Sequence, residues 1–209
     1  MVSNTQDLYE RCMEFSRSKK PPYPGYTKYI ENECKWFAKN LSSLYKEHES
    51  TIKEIGEDHI KTLEKIAFPY AFAIQDIIET WEYLEKIGGK EAPKYLMLPY
   101  IKSLEDLYIA YKSRASEDIK MQSYSNLKRE RVALDILLSN NHLIPEAIEI
   151  QKSRGPLQLS MVIKLLYKEG KISEDIMSEY ELSLLSKYLD FKKRSISLVW
   201  LIFAFHKNP

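Results

Sequence analysis

The chain has 209 residues, 44% of them hydrophobic and 29% charged, with 31 basic side chains against 30 acidic ones. That is enough apolar sequence for one sizeable core, and it excludes a disordered tail, a collagen-like fibre and a disulfide-stapled miniprotein. A net charge of +1 also excludes a generic polycation for nucleic acid or membrane.

Thr5 to Ser18 reads as a short amphipathic helix, with Leu8, Cys12 and Phe15 at helical spacing. Pro21, Pro22 and Pro24 stop it and favour an extended connector. No basic residue flanks that Pro-x-x-Pro frame where it would fix a docking orientation, so the segment reads as a linker. Cys12 and Cys34 stand 22 apart with no Cys-x-x-Cys pair, and a disulfide between them requires the first helix to fold back on the second. With no cleavable signal expected in the polar Met1 to Glu10, the expected setting is a reducing cytoplasm, with both thiols packed as small apolar groups.

From Thr27 to Ala67 an apolar stripe runs through Ile30, Cys34, Phe37, Leu41, Leu44, His48, Ile52, Ile55, His59, Leu63 and Ile66. Its mean step is about 3.6 residues, the period of a straight helix in a globular bundle rather than the 3.5 of a two-stranded coiled coil. A continuous helix of this length would measure about 60 Å, and Gly56 is the place for a break. Pro69 suits the first turn of a helix presenting Tyr70, Ile74, Ile77, Trp81 and Leu84, closed by Gly88-Gly89. Another helix is expected from Pro93 through Met97, Ile101, Leu104, Tyr108, Tyr111, Ala115 and Ile119, with Pro99 kinking its start.

The last third reads as shorter helices: Ser123 to Ser139, Pro145 to Ser153, Pro156 to Glu169 and Ser173 to Phe191, with Ser173 a good N-cap before Glu174 and Asp175. Ser195 to Phe205 is eleven residues without charge. As a helix it would cover about 16 Å, too little for a bilayer core of about 30 Å. It either closes the protein's own core or anchors Trp200, Leu201, Phe203 and Phe205 in a partner's groove. Period-two alternation and hairpin dipeptides are absent. The expected fold is therefore all-α, a multi-helix bundle. Its parts are a short helix and connector over 1–26, a long-helix bundle over 27–122 and a short-helix part over 123–209.

The motifs of common chemistries are missing. Six glycines form neither a P-loop nor a dinucleotide fingerprint. Glu-x-x-His, His-Glu-x-x-His and Gly-x-Ser-x-Gly do not occur, and His48 and His59, about 16 Å apart along a helix axis, read as core or core-edge residues. No catalytic residue, cofactor or metal set is expected. Charge is uneven, however: residues up to 122 carry 18 basic and 20 acidic side chains, and the rest carry 13 and 10. Lys128, Arg129 and Arg131 form one basic cluster, Lys192, Lys193 and Arg194 another, and both could contact phosphate. A helix-turn-helix reading of Leu157 onward is opposed by Glu174 and Asp175, which would repel phosphate at the second helix's N-terminus. Lysine over arginine and glutamate over aspartate lean toward a heat-adapted source or, equally, a low-GC genome. The function expected is a non-enzymatic helical adaptor or structural subunit with a protein partner or a second copy of itself. The alternative is a nucleic-acid-binding component using the basic C-terminal clusters.

Overall fold

The computed structural model describes residues 4–16 and 24–185. Among them it forms α1 (Thr5–Ser16), α2 (Tyr26–Glu47), α3 (Glu49–Ile55), α4 (Glu57–Ala67), α5 (Phe72–Gly88), α6 (Ala92–Leu96), α7 (Leu98–Lys112), α8 (Glu117–Ser139), a 3-10 turn (Asn141–Leu143), α9 (Ile144–Arg154), α10 (Leu159–Lys168) and α11 (Glu174–Leu185). The fold is all-α, as the absence of alternation requires, and no strand occurs among the described residues. Two compact units divide at Glu79 and Thr80, inside α5.

In the first unit, the stripe of Ile30 to Ile66 is interrupted twice rather than once. His48 leaves helical geometry at φ −115°, ψ 35° between α2 and α3, and Gly56 does so at φ 99°, ψ 141° between α3 and α4. Gly56 tolerates that positive φ because it has no Cβ. The hydrogen-bond ladder nevertheless crosses both breaks, His48 N–H to Leu44, Ile52 N–H to His48, Gly56 N–H to Ile52 and Ile60 N–H to Gly56. The apolar side chains therefore keep their phase: every member of the stripe is buried except His48 and His59, which sit at the core edge. Phe37 packs edge-on against Phe68 with ring centroids 5.4 Å apart, tying α2 to the end of α4.

α1 packs along α2 and touches α4, burying Leu8, Cys12 and Met13. Folding back in this way brings Cys12 and Cys34 to a Cα separation of 5.6 Å, and the two form a disulfide. This corrects the expectation of two free thiols; both sulfurs are buried, but joined. A polar cluster lies beside this bridge. Arg11 donates from Nε to Glu64 Oε2 at 3.0 Å and from Nη2 to Oε1 at 2.8 Å, and the Tyr45 hydroxyl donates to Oε1 at 3.0 Å. Glu64 is buried, so these three donors supply what water would otherwise provide to its carboxylate. Burial, followed by the Glu64 charge, pushes the Tyr45 phenol well above its ordinary value.

In the second unit, the expected helix from Pro93 to Ile119 is two helices and the start of a third. Pro93 and Pro99 each occupy the first turn of a separate helix, α6 and α7, where a missing N–H is harmless. The chain then turns through Arg114 at φ 53°, and Ser116 caps α8 by accepting from Ile119 N–H at 3.4 Å. Ser116-Glu117-Asp118 is thus the helix start, seven positions before the expected Ser123. α7 and α8 pack side by side and carry Tyr100, Ile101, Leu104, Leu107, Leu127, Leu134 and Leu137 into the core.

Gly88, the last residue of α5, is required by close approach. A Cβ there would lie 2.7 Å from the Ala92 Cβ and 2.8 Å from the Ile144 Cγ2. Gln151 of α9 ties α6 to the loop before α10: its amide donates to the carbonyls of Tyr95 at 3.1 Å and Leu157 at 2.9 Å, and its oxygen accepts from Leu157 N–H at 2.7 Å. No helix of the described residues is long and apolar enough to cross a membrane.

Candidate interaction surfaces

Lys128, Arg129 and Arg131 all lie on α8: Arg129 diverges from Lys128 by about 100° and is exposed, whereas Arg131, one turn on from Lys128, is buried. Arg131 is 4% exposed: its Nε donates to Asp135 Oδ2 at 3.0 Å and its guanidinium lies 5.7 Å from the Tyr100 ring centroid. The pair Arg131 and Asp135 at i,i+4, flanked by Leu127 and Leu134 on the same face, was the available signal that Arg131 points inward. Lys128 is half-buried and donates to the Leu184 carbonyl near the end of α11; burial lowers its pKa. Arg129 is exposed and donates to Ser125 Oγ at 3.1 Å. The structure therefore does not gather the three into one phosphate-facing cluster. Lys192, Lys193, Arg194, Trp200, Leu201, Phe203 and Phe205 lie outside the described residues.

The neighbouring Glu130 has a role that sequence reasoning missed. It is buried, and its carboxylate accepts from Leu159 N–H at 2.8 Å and Ser160 N–H at 3.4 Å, capping α10 from α8. Such a cap, a carboxylate at the positive end of a helix, leaves no local sequence signature when the acid is some thirty positions upstream. The Tyr180 hydroxyl of α11 is buried without a hydrogen-bond partner among the described residues, and burial, reinforced by the Glu130 charge, raises its pKa to about 12. With its first turn tied to Glu130, α10 buries Leu159, Val162, Ile163 and Leu166 and turns Met161, Lys164, Tyr167 and Lys168 to solvent.

Large apolar side chains also reach solvent. On α2, Tyr29 is 50% and Trp36 59% exposed, two helical turns apart on the face opposite the buried Ile30, Cys34 and Phe37. Tyr70 and Phe72, both exposed, meet edge-on with centroids 5.5 Å apart. At the α7–α8 hairpin no residue from Tyr111 to Asn126 is buried, and Ile109, Ile119 and Met121 are exposed. Lys112 and Lys120 lie over the Tyr108 and Tyr111 rings at 5.7 and 5.4 Å. No group of three or more His, Cys, Asp or Glu residues able to hold a metal ion occurs among the described residues.

Comparison with protein-family models, with curated proteins and with solved structures finds no match to this chain.

Proposed function

We propose that the protein is a non-enzymatic helical subunit that works through protein-protein contact in a larger assembly. The observation that supports this reading is the outward face of α2. An amphipathic helix that buries one face normally presents polar residues on the other. Here Tyr29 and Trp36 are instead half or more exposed and aligned two turns apart. Tryptophan and tyrosine are the residue types most enriched at interface hot spots, where truncation costs about 2 kcal/mol or more.

The test compares tagged wild type with Tyr29→Ala/Trp36→Ala, purified from the native host and examined alone for oligomeric state. Expected is a defined partner, or a second copy, held by the wild type and lost by a variant with unchanged helicity. Equal recovery by both proteins refutes the assignment of this face. The same reading retains the cytoplasmic setting. A heat-adapted host reconciles that setting with the Cys12–Cys34 bridge, because intracellular disulfides persist in such organisms.

A further inference from the structure

We propose that the outward face of α10, with the end of α9 and the turn after α10, is a sequence-independent binding surface for the phosphate backbone of nucleic acid. This surface is distinct from the two basic clusters that stand out in the sequence, and it does not depend on the α2 face.

The argument begins with charge. Residues 151–173 hold five basic side chains, Lys152, Arg154, Lys164, Lys168 and Lys171, against a single acid, Glu169. A chain that is otherwise balanced thus concentrates positive charge in 23 residues. Two of the five are ion-paired, Arg154 Nη2 with Glu169 Oε1 at 3.4 Å and Lys152 Nζ with Glu91 Oε2 at 3.7 Å, so the excess charge lies on Lys164, Lys168 and Lys171. The Arg154–Glu169 pair, both side chains exposed, links the end of α9 to the residue that follows α10.

Geometry then selects which of them face a ligand. α10 contains no acid, and its apolar residues Leu159, Val162, Ile163 and Leu166 are buried. Lys164 and Lys168 stand one turn apart on the opposite, exposed side, about 6 Å along the axis. Lys171 follows on the exposed turn. Met161 and Tyr167 lie among them, both exposed, and Tyr167 offers a hydroxyl donor and a ring.

Lysine ammonium groups on flexible stems act as hydrated point charges, suited to a repeating anion and not to bidentate reading of one base. The partner is accordingly a phosphate backbone bound without sequence preference. Glu130 supports the surface from below by holding the start of α10, without itself reaching solvent.

The test is fluorescence anisotropy of labelled random-sequence oligonucleotides, single-stranded and duplex, against the full chain over a salt series. Three lysine–phosphate contacts contribute a slope of about −2.7 in log affinity against log salt on duplex, or roughly forty-fold between about 50 and 200 mM salt. Lys164→Glu/Lys168→Glu/Lys171→Glu is expected to remove that salt-dependent binding. Lys35→Glu/Lys39→Glu/Lys46→Glu, with the same net charge, should retain most of it. Lys164→Gln/Lys168→Gln/Lys171→Gln serves as the neutral variant should charge reversal disturb folding by circular dichroism. Several results would each overturn the proposal. They are undetectable binding, equal loss in both reversed variants, binding abolished only by reversing Lys192, Lys193 and Arg194, or displacement of the oligonucleotide by polyglutamate at lower concentration than by unlabelled duplex.

Discussion

Replacing Glu130 by alanine removes the acceptor that holds the first turn of α10. The Leu159 amide, donating at 2.8 Å, loses a full partner, and the Ser160 amide, at 3.4 Å, loses a weaker one. A buried donor left unsatisfied costs about 1–3 kcal/mol, so the pair amounts to about 3 kcal/mol. In a chain of this size that corresponds to roughly 6–12 °C in Tm. Glu130→Gln removes the charge and keeps one of the two acceptor oxygens, enough for the shorter bond from Leu159 N–H but not for both amides. Burial is the dominant influence on the Glu130 carboxyl and raises its pKa from the ordinary carboxylate value, against the opposing effect of the two amides. A carboxyl whose folded pKa exceeds its unfolded value binds a proton more readily when folded. Its stabilising contribution is then fully present below the unfolded pKa and is lost as pH rises through the folded one. The stability of the wild type relative to Glu130→Gln should therefore fall from acid to neutral pH. Thermal unfolding followed by circular dichroism at both pH values measures all three proteins. A Glu130→Ala Tm within about 1–2 °C of wild type, equivalent to the roughly 0.5 kcal/mol of an ordinary surface change, refutes the capping role. A wild-type advantage over Glu130→Gln that grows with pH refutes the assignment of burial as the dominant influence.

The Arg11–Glu64–Tyr45 cluster should behave as one unit. Arg11→Ala strands a buried carboxylate and is expected to cost about 2–3 kcal/mol, somewhat below a fully buried pair because the Arg11 side chain is 26% exposed. Tyr45→Phe is expected to cost about 1 kcal/mol, and a double-mutant cycle by chemical denaturation should depart from additivity by more than about 0.5 kcal/mol. Gly88→Ala places a methyl group under 3 Å from Ala92 and Ile144 and should destabilise by about 1–3 kcal/mol, whereas Gly89→Ala meets no atom and carries only the strain of its positive φ; comparing their melting temperatures checks this. Reduction of Cys12–Cys34 reopens a loop of 22 residues and should lower stability by about 3 kcal/mol, read as the shift in midpoint with and without a thiol-free reductant.

The all-α architecture was legible because the stripe from Ile30 to Ile66 has a helical period that persists through two breaks. Gly56 announced one of them by its lack of a Cβ. His48 did not, since nothing in its side chain demands a non-helical backbone. Ser116 was overlooked because Tyr111, Ala115 and Ile119 continue an i,i+4 pattern straight across the turn, although Ser116-Glu117-Asp118 is as good a cap as Ser173-Glu174-Asp175. The disulfide depended on α1 folding back over α2, a tertiary outcome that cysteine spacing does not encode. Basic clusters stand out in the sequence by density, whereas exposure depends on helical phase and on the partner each side chain meets. That is why Arg131 turns to Asp135 and Tyr100 while the more dispersed Lys164, Lys168 and Lys171 share a surface.

The hairpin between α7 and α8 has a property of its own. Because nothing from Tyr111 to Asn126 is buried, no core contact records how long this hairpin is. Adding or removing matched whole turns on its two arms would move the tip in steps of about 5.4 Å and leave the packing below Leu127 untouched. Evolution is thus free to adjust the reach of this arm independently of the fold that carries it, and length variation among relatives should concentrate there.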